Sequence, residues 1–235
     1  MHGQEGIKPI GRLSMNTIDA LNSRYCCRAF RPDRVSKETV LKILEAATRA
    51  PSWANTQPWE IYVATGEALE RLRQAYLKNL QEDVAGHPDQ PRPSSWPPAL
   101  QKRTEDLMAR RLQLLGIARD DSASRKTMMR ANYSFFDAPV VIYLCMDRSL
   151  GPWSVFDLGA LSQSIMLAAK DNGLDTAVAV MLVAYPDLIR SHLEIPDDLS
   201  IVIGIALGSS DSDNPGNRFR SPRRPFSDVV HLKGF

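Results

Sequence analysis

Three short apolar runs most constrain what this chain can fold into. The segments 140-VVIYLC-145 and 201-IVIGIALG-208 are continuous strand-type stretches, and 59-WEIYVA-64 alternates Trp59, Ile61 and Val63 with polar or smaller neighbours. Between them lie segments with helical rather than strand periodicity. Residues 36–50, SKETVLKILEAATRA, put Val40, Ile43, Leu44 and Ala47 on one face, with Ser36 placed as N-cap and Pro51 ending the pattern. Thr65 opens a second helix through Leu69, Leu72 and Tyr76. A third, over 155–172, is stopped by Gly173. A further short strand is expected near 176–182 and a helix begun by Pro186. Strands separated by whole helices predict an α+β fold, a mixed central sheet of about four or five strands flanked by helices. The connections are too irregular for an eightfold barrel.

At 235 residues and 43% hydrophobic, the chain is read as a single domain, 1–235. Its least regular region is 81–134. There 81-QEDVAGHPDQPRPSSWPP-98 carries five prolines, followed by a charged amphipathic segment over 99–116 and another helical pattern over 122–134. This reads as an insertion, with Trp96, Leu100, Leu107 and Leu112 available to wall a substrate or a partner subunit. The net charge of +2 implies no general polyanion surface, and nucleic acid is not an expected partner. Three cysteines, two of them adjacent at Cys26 and Cys27, suit a reducing, cytoplasmic compartment. No apolar run approaches the roughly 18 residues of a membrane span, and the opening MHGQEGIKPIGR lacks an apolar targeting core.

Several common chemistries are missing. The sequence has neither a G-x-G-x-x-G after a strand nor a G-x-x-x-x-G-K-[ST]. Its histidines, His2, His87, His192 and His231, are scattered, and with no C-x-x-C a metal site is not expected. Two arginine groups remain: Arg24, Arg28, Arg31 and Arg34 near one end, and Arg218, Arg220, Arg223 and Arg224 near the other. Guanidinium forks converging from remote segments can build a phosphate pocket without a glycine loop. Composition alone leaves that reading open beside the plainer one of solvated surface arginines.

The segment 50-APSWANTQPW-59 is unusual in another way. Two prolines, two tryptophans and four polar side chains follow directly on a helix, and tryptophans that large usually find something flat or apolar to pack against. Trp59 begins a strand and is expected in the core, which leaves Trp53 for another neighbour.

Together and in order, 24-RYCCRAF-30, 50-APSWANTQPW-59, 137-DAPVVIY-143, 173-GLDT-176, 203-IGIALG-208 and 223-RRPFSDVV-230 resemble the FMN-dependent nitroreductase family along nearly the whole chain. The resemblance implies an intertwined α+β homodimer with flavin sites at the subunit interface. It implies FMN held by Arg24, Cys26, Arg28 and Arg223 at the phosphate, by Pro51, Ser52, Trp53 and Asn55 across the interface, and by the backbone of Val180 and Met181 at the reactive edge. Cys26 stands where the family usually has serine, and a thiol is a weaker donor than a hydroxyl. The insertion is the largest departure. The implied reaction is ping-pong transfer of two electrons from NADPH or NADH through FMN to an aromatic nitro compound or quinone. Trp53 and Asn132 are the candidate substrate contacts, and no side chain is needed as a catalytic acid. Two other readings stay open: a different flavin reaction on the same fold (flavin reduction, dehydrogenation, reductive dehalogenation), and a non-enzymatic anion-binding module.

Overall fold

The computed structural model describes residues 15–235, so the opening MHGQEGIKPIGR lies outside the described residues. Seven helices and four strands follow in the order α1 (Thr17–Ser23), α2 (Lys37–Ala47), β1 (Glu60–Thr65), α3 (Gly66–Gln81), α4 (Pro98–Leu114), α5 (Ser122–Tyr133), β2 (Val140–Asp147), α6 (Pro152–Asp171), β3 (Asp175–Ala179), α7 (Pro186–Leu193) and β4 (Leu199–Gly208). Some helix starts carry a side-chain cap, whereas Thr65 at the start of α3 makes none. The Ser36 hydroxyl accepts from the Thr39 N–H at 3.1 Å, and the Asp121 carboxylate accepts from the Ser124 N–H at 3.0 Å. The short helix α1, capped by Asn16, was not among the expected elements.

The strands form one sheet in the order β1-β2-β4-β3, and every strand pair is antiparallel. The mixed sheet expected from the sequence is therefore mixed only through an isolated parallel bridge, Cys26 to Thr176 on β3. Side chains alternate across a strand, and both faces here are covered. Val141, Tyr143 and Cys145 of β2 join a core with Leu69, Leu72 and Tyr76 of α3, Tyr133 of α5 and Ile189 of α7. Val140, Ile142, Leu144 and Met146 join a second core with Val40 and Ile43 of α2 and Leu158, Leu161 and Ile165 of α6. Each fully buried aliphatic side chain contributes about 1.5–3 kcal/mol relative to exposure, so burial on both sides explains why β2 reads as an unbroken apolar run.

Two devices place the segments that matter for function. Residues 26–31 run along the far edge of the sheet: the Cys27 N–H bonds the Thr176 carbonyl at 2.9 Å, and the Arg31 N–H bonds the Ser209 carbonyl at 2.9 Å. At the end of β3 the chain makes a 3-10 turn, Val180–Val183. The Tyr76 hydroxyl donates to the Leu182 carbonyl at 2.9 Å and accepts from the Tyr185 N–H at 3.3 Å, closing that turn onto α3. The turn also lies against Gly204 of β4, where an added Cβ would stand 2.6 Å from the Leu182 Cβ.

The proline-rich stretch before α4 is tied down by one carboxylate. Asp89 accepts from Arg190 at 2.5 Å, Arg148 at 3.0 Å and the Ile201 N–H at 2.8 Å. Burial raises its pKa, but the bonds from Arg190, the Ile201 N–H and Arg148 more than offset that, and the carboxyl lies below the usual range. Among the described residues no helix is long and apolar enough to cross a membrane.

Candidate active site

The 50–59 segment turns sharply between α2 and β1, with Ala54, Asn55 and Gln57 all in the left-handed region (φ 51°, 58° and 48°). Side chains and backbone hold it there. The Gln57 N–H bonds the Ser52 hydroxyl at 2.9 Å, and the Trp53 N–H bonds Asp157 Oδ2 at 3.2 Å. The two tryptophans then part company, as their positions in the sequence suggest. Trp59 is buried against β2 and α6, whereas Trp53 is 67% exposed. Trp53 makes an edge contact with Trp153 at 6.0 Å between ring centroids, and with Phe156 (71% exposed) the two rings border a groove of about 440 Å³ that also includes Pro51, Ser52 and Asp157. A monomer would leave these rings in water, a poor state for three large aromatic side chains. Trp153, Phe156 and Asp157 were not identified from the sequence. Only the aromatic pair at the start of α6 could have signalled them.

The second cluster forms around residues 24–28. Asn217, itself buried, accepts from the Arg28 N–H at 2.6 Å and donates to the carbonyls of Ala29 at 2.8 Å and Asp211 at 2.7 Å, so it pins the C-terminal segment to this one. The Arg28 guanidinium lies 5.0 Å above the Phe136 ring, and no hydrogen bond or ion pair among the described residues engages its side chain. The Arg24 backbone N–H caps α1 through the Ala20 carbonyl. Cys26 is part-buried beside Thr176. Cys27 and Cys145 are buried, and burial pushes their thiols up to about 11 and about 12, so neither is a ready nucleophile.

Arg28 opens onto a cavity of about 400 Å³ lined also by Arg111 of α4, by Ser124, Thr127 and Asn132 of α5, and by Asn214. Asn132, singled out from the sequence, thus shares a pocket with Arg28. Its amide donates to the Met128 carbonyl at 3.0 Å. Val180 is exposed at the turn after β3, and the Met181 sulfur lies 3.3 Å from the Arg92 guanidinium. Of the C-terminal arginines, Arg220 is the one brought to the 24–28 segment, with its guanidinium 3.7 Å from the Tyr25 ring centroid. Arg223 bonds Ser221 and lines a different groove with Arg103 and Arg110 of α4. The structure therefore does not join Arg223 to Arg28 within one chain. Among the described residues no group of three or more His, Cys, Asp or Glu side chains is placed to hold a metal.

Residues 21–209 match the model of the nitroreductase family. The chain belongs to the nitroreductase family. It is 38% identical over 220 residues to a nitrobenzene nitroreductase of Ectopseudomonas oleovorans, with 91% of this chain and 96% of that one covered. The FMN and NADPH-dependent nitroreductase NfnB from a Sphigopyxis strain superposes with a TM-score of 0.90 at 31% identity, covering 94% of this chain and all of that one. The FMN-dependent NfnB from Mycobacterium smegmatis, solved in complex with NADPH, gives 0.86 at 31% identity over 91% of this chain and 96% of its own. As a nitroreductase family member the chain brings its 50–59 motif to the aromatic groove, completed by α6, and Arg28 of its 24–30 motif to the arginine cavity, completed by α4 and α5.

Proposed function

We propose that this protein is an FMN-dependent oxidoreductase that carries two electrons from NADPH or NADH to an aromatic nitro compound or a quinone, working as a homodimer. One observation carries the reading: the aromatic groove at Trp53 and the cationic cavity at Arg28 are chemically complementary halves, yet their linings share no residue. A flavin phosphate needs the second and a flavin ring needs the first, so two copies of the chain complete what one leaves divided. The names of the relatives support the acceptor class, and the two NfnB structures support the cofactors.

The side chains fit FMN in chemistry. Arg28 has no competing carboxylate partner among the described residues, and Trp53, Trp153 and Phe156 offer flat apolar surface. Bound FMN supplies the capacity to take up a hydride and pass on two electrons. Arg24 and Arg28 hold the phosphate end in this reading, Cys26 adds a weak donor, and Arg223 joins them from the C-terminal segment. The 50–59 loop of a second copy brings Pro51, Ser52, Trp53 and Asn55 against the ring, where Trp53 excludes water and Asn55 and Ser52 address polar edges. Backbone groups of Val180 and Met181 face the reactive edge, and Trp53 and Asn132 contact the acceptor. Residues 1–235 act as one domain with 81–134 as its elaboration. The three free cysteines agree with a reducing cytoplasmic setting.

The test is the visible spectrum of the purified protein. It is expected to be yellow, to release FMN on denaturation, to bleach anaerobically with NADPH or NADH and to recover on addition of nitrobenzene, with a solution mass of twice the chain. A colourless monomer that takes up no added FMN would end the proposal.

A further inference from the structure

The segment 26–30 is bridged to the sheet edge at its two ends but not in the middle. Cys26 bridges Thr176 of β3, and Phe30 bridges Ser210 just past β4. Between these points no backbone carbonyl among the described residues takes the Arg28 N–H. A side chain takes it instead. Asn217 Oδ1 accepts from the Arg28 N–H at 2.6 Å across 189 residues of chain. Its Nδ2 donates to the Ala29 carbonyl at 2.8 Å and to the Asp211 carbonyl at 2.7 Å, and the Cys27 thiol adds a weak bond to Oδ1 at 3.4 Å. A primary amide carries one carbonyl and two N–H donors in one plane, so Asn217 stands in for the missing peptide unit and uses every group it has. It is buried, so bulk water does not compete for these bonds.

The turn that carries Asn217 is itself held. Asn214 caps it by accepting from the Gly216 N–H at 2.9 Å. Arg220 donates to the Asn217 carbonyl at 2.7 Å and stacks on Tyr25 at 3.7 Å, which ties the turn to the 24–28 segment a second time. Gly216 lies against the Arg28 stem, where an added Cβ would stand 3.6 Å from the Arg28 Cβ. Arg28 is thus fixed at its backbone by Asn217, and at its other end the guanidinium rests over the Phe136 ring. A long side chain held at both ends loses less freedom on meeting a ligand than one free to rotate.

We propose that Asn217 is a positioning residue of the cofactor site. Its amide fixes the backbone at Arg28 and, through it, the direction in which the Arg28 guanidinium is offered to the flavin. This rests on the flavin reading above. It makes the seating of the turn 215–218, which follows the last strand, a condition of tight cofactor binding.

The test is a double-mutant cycle on the FMN dissociation constant, read from the flavin fluorescence released when FMN-reconstituted protein is diluted. Asn217→Ala is expected to weaken FMN binding about tenfold, and Arg28→Ala roughly tenfold to a hundredfold. In the Arg28→Ala background, Asn217→Ala should cost no more than about twofold further, because the side chain it positions is gone. Urea denaturation of the same four proteins separates this from a merely structural role. Arg28→Ala keeps the backbone N–H, so the stability lost with Asn217 should persist in that background while the loss of FMN affinity does not. Asn217→Ser, a smaller deletion that keeps a hydroxyl, runs through the same cycle and decides the matter if Asn217→Ala fails to fold. Full FMN affinity in the Asn217 variants, or an affinity loss that repeats undiminished in the Arg28→Ala background, overturns the proposal. If the wild-type protein binds no FMN, the functional reading itself fails, and that result is separate from any effect of the variants.

Discussion

The backbone N–H of Trp53 points at the buried carboxylate of Asp157, 3.2 Å away on α6. This bond spans 104 residues of chain and sets the direction in which the exposed indole leaves the loop. Asp157→Ala removes the acceptor and leaves a part-buried N–H unpaired. It is expected to cost about 1–3 kcal/mol in urea denaturation and to shift the tryptophan emission of the folded protein. Asp157→Asn retains a carbonyl acceptor and should lose less. Equal stabilities for all three proteins would show that the bond is not what holds the loop.

Ala54 holds a left-handed conformation, φ 51° and ψ 24°, with its side chain exposed. A residue with a Cβ is strained there by about 1–2 kcal/mol, while glycine is not. Ala54→Gly is therefore expected to be neutral or to raise the melting temperature, despite the entropy glycine adds to the unfolded chain. A clear fall in melting temperature would mean that the loop relaxes out of this conformation in solution.

Asp89 fastens the proline-rich stretch to Arg190 and Arg148. Because its folded pKa is depressed, its contribution is present above the unfolded value of about 3.9 and is lost as pH falls through the folded one. Asp89→Asn is expected to cost about 3 kcal/mol or more at neutral pH, since Arg190 stays buried without its carboxylate. The gap between variant and wild type should narrow on acidification below about pH 4. Urea melts across that range check the sign, and a gap that widens toward acid would refute it.

Gly204 lets the 180–183 turn lie directly on β4. Gly204→Ala forces its new methyl into the Leu182 Cβ and is expected to destabilise by about 1–3 kcal/mol. Adding Leu182→Ala should not restore stability fully, because the close atom is the Cβ itself. Thermal melts of the two variants decide this.

Flavin content on purification separates the arginines. Arg24→Ala and Arg28→Ala are expected to emerge with less FMN than wild type. Arg223→Ala, whose guanidinium lies in the groove with Arg103 and Arg110, should lose less. Full occupancy in both N-terminal variants would contradict the phosphate assignment.

Local patterns made much of the architecture readable before any coordinates. Ser36 caps α2 because its hydroxyl needs only the next turn's N–H, and Trp59 is buried because strand alternation sends it inward with Ile61. The 50–59 and 24–30 motifs were visible because they are contiguous. The all-antiparallel strand pairing was not, since which strands become neighbours depends on long-range packing rather than on periodicity. Arg111 was equally hidden. In α4 it is one cation among several on a charged helix, and nothing local distinguishes it from Arg103 or Arg110.

The sequence by itself determined most of the helices and strands, the short α1 excepted, along with the family and the two motif segments, because each depends on residues adjacent along the chain. Only the tertiary structure decided that Arg220 rather than Arg223 meets the 24–28 segment, that Asp157 orients Trp53, and that Arg111 faces Arg28. Those relationships join residues up to 195 positions apart, Arg220 and Tyr25 being the widest, and they exist only once both cores have closed on the sheet.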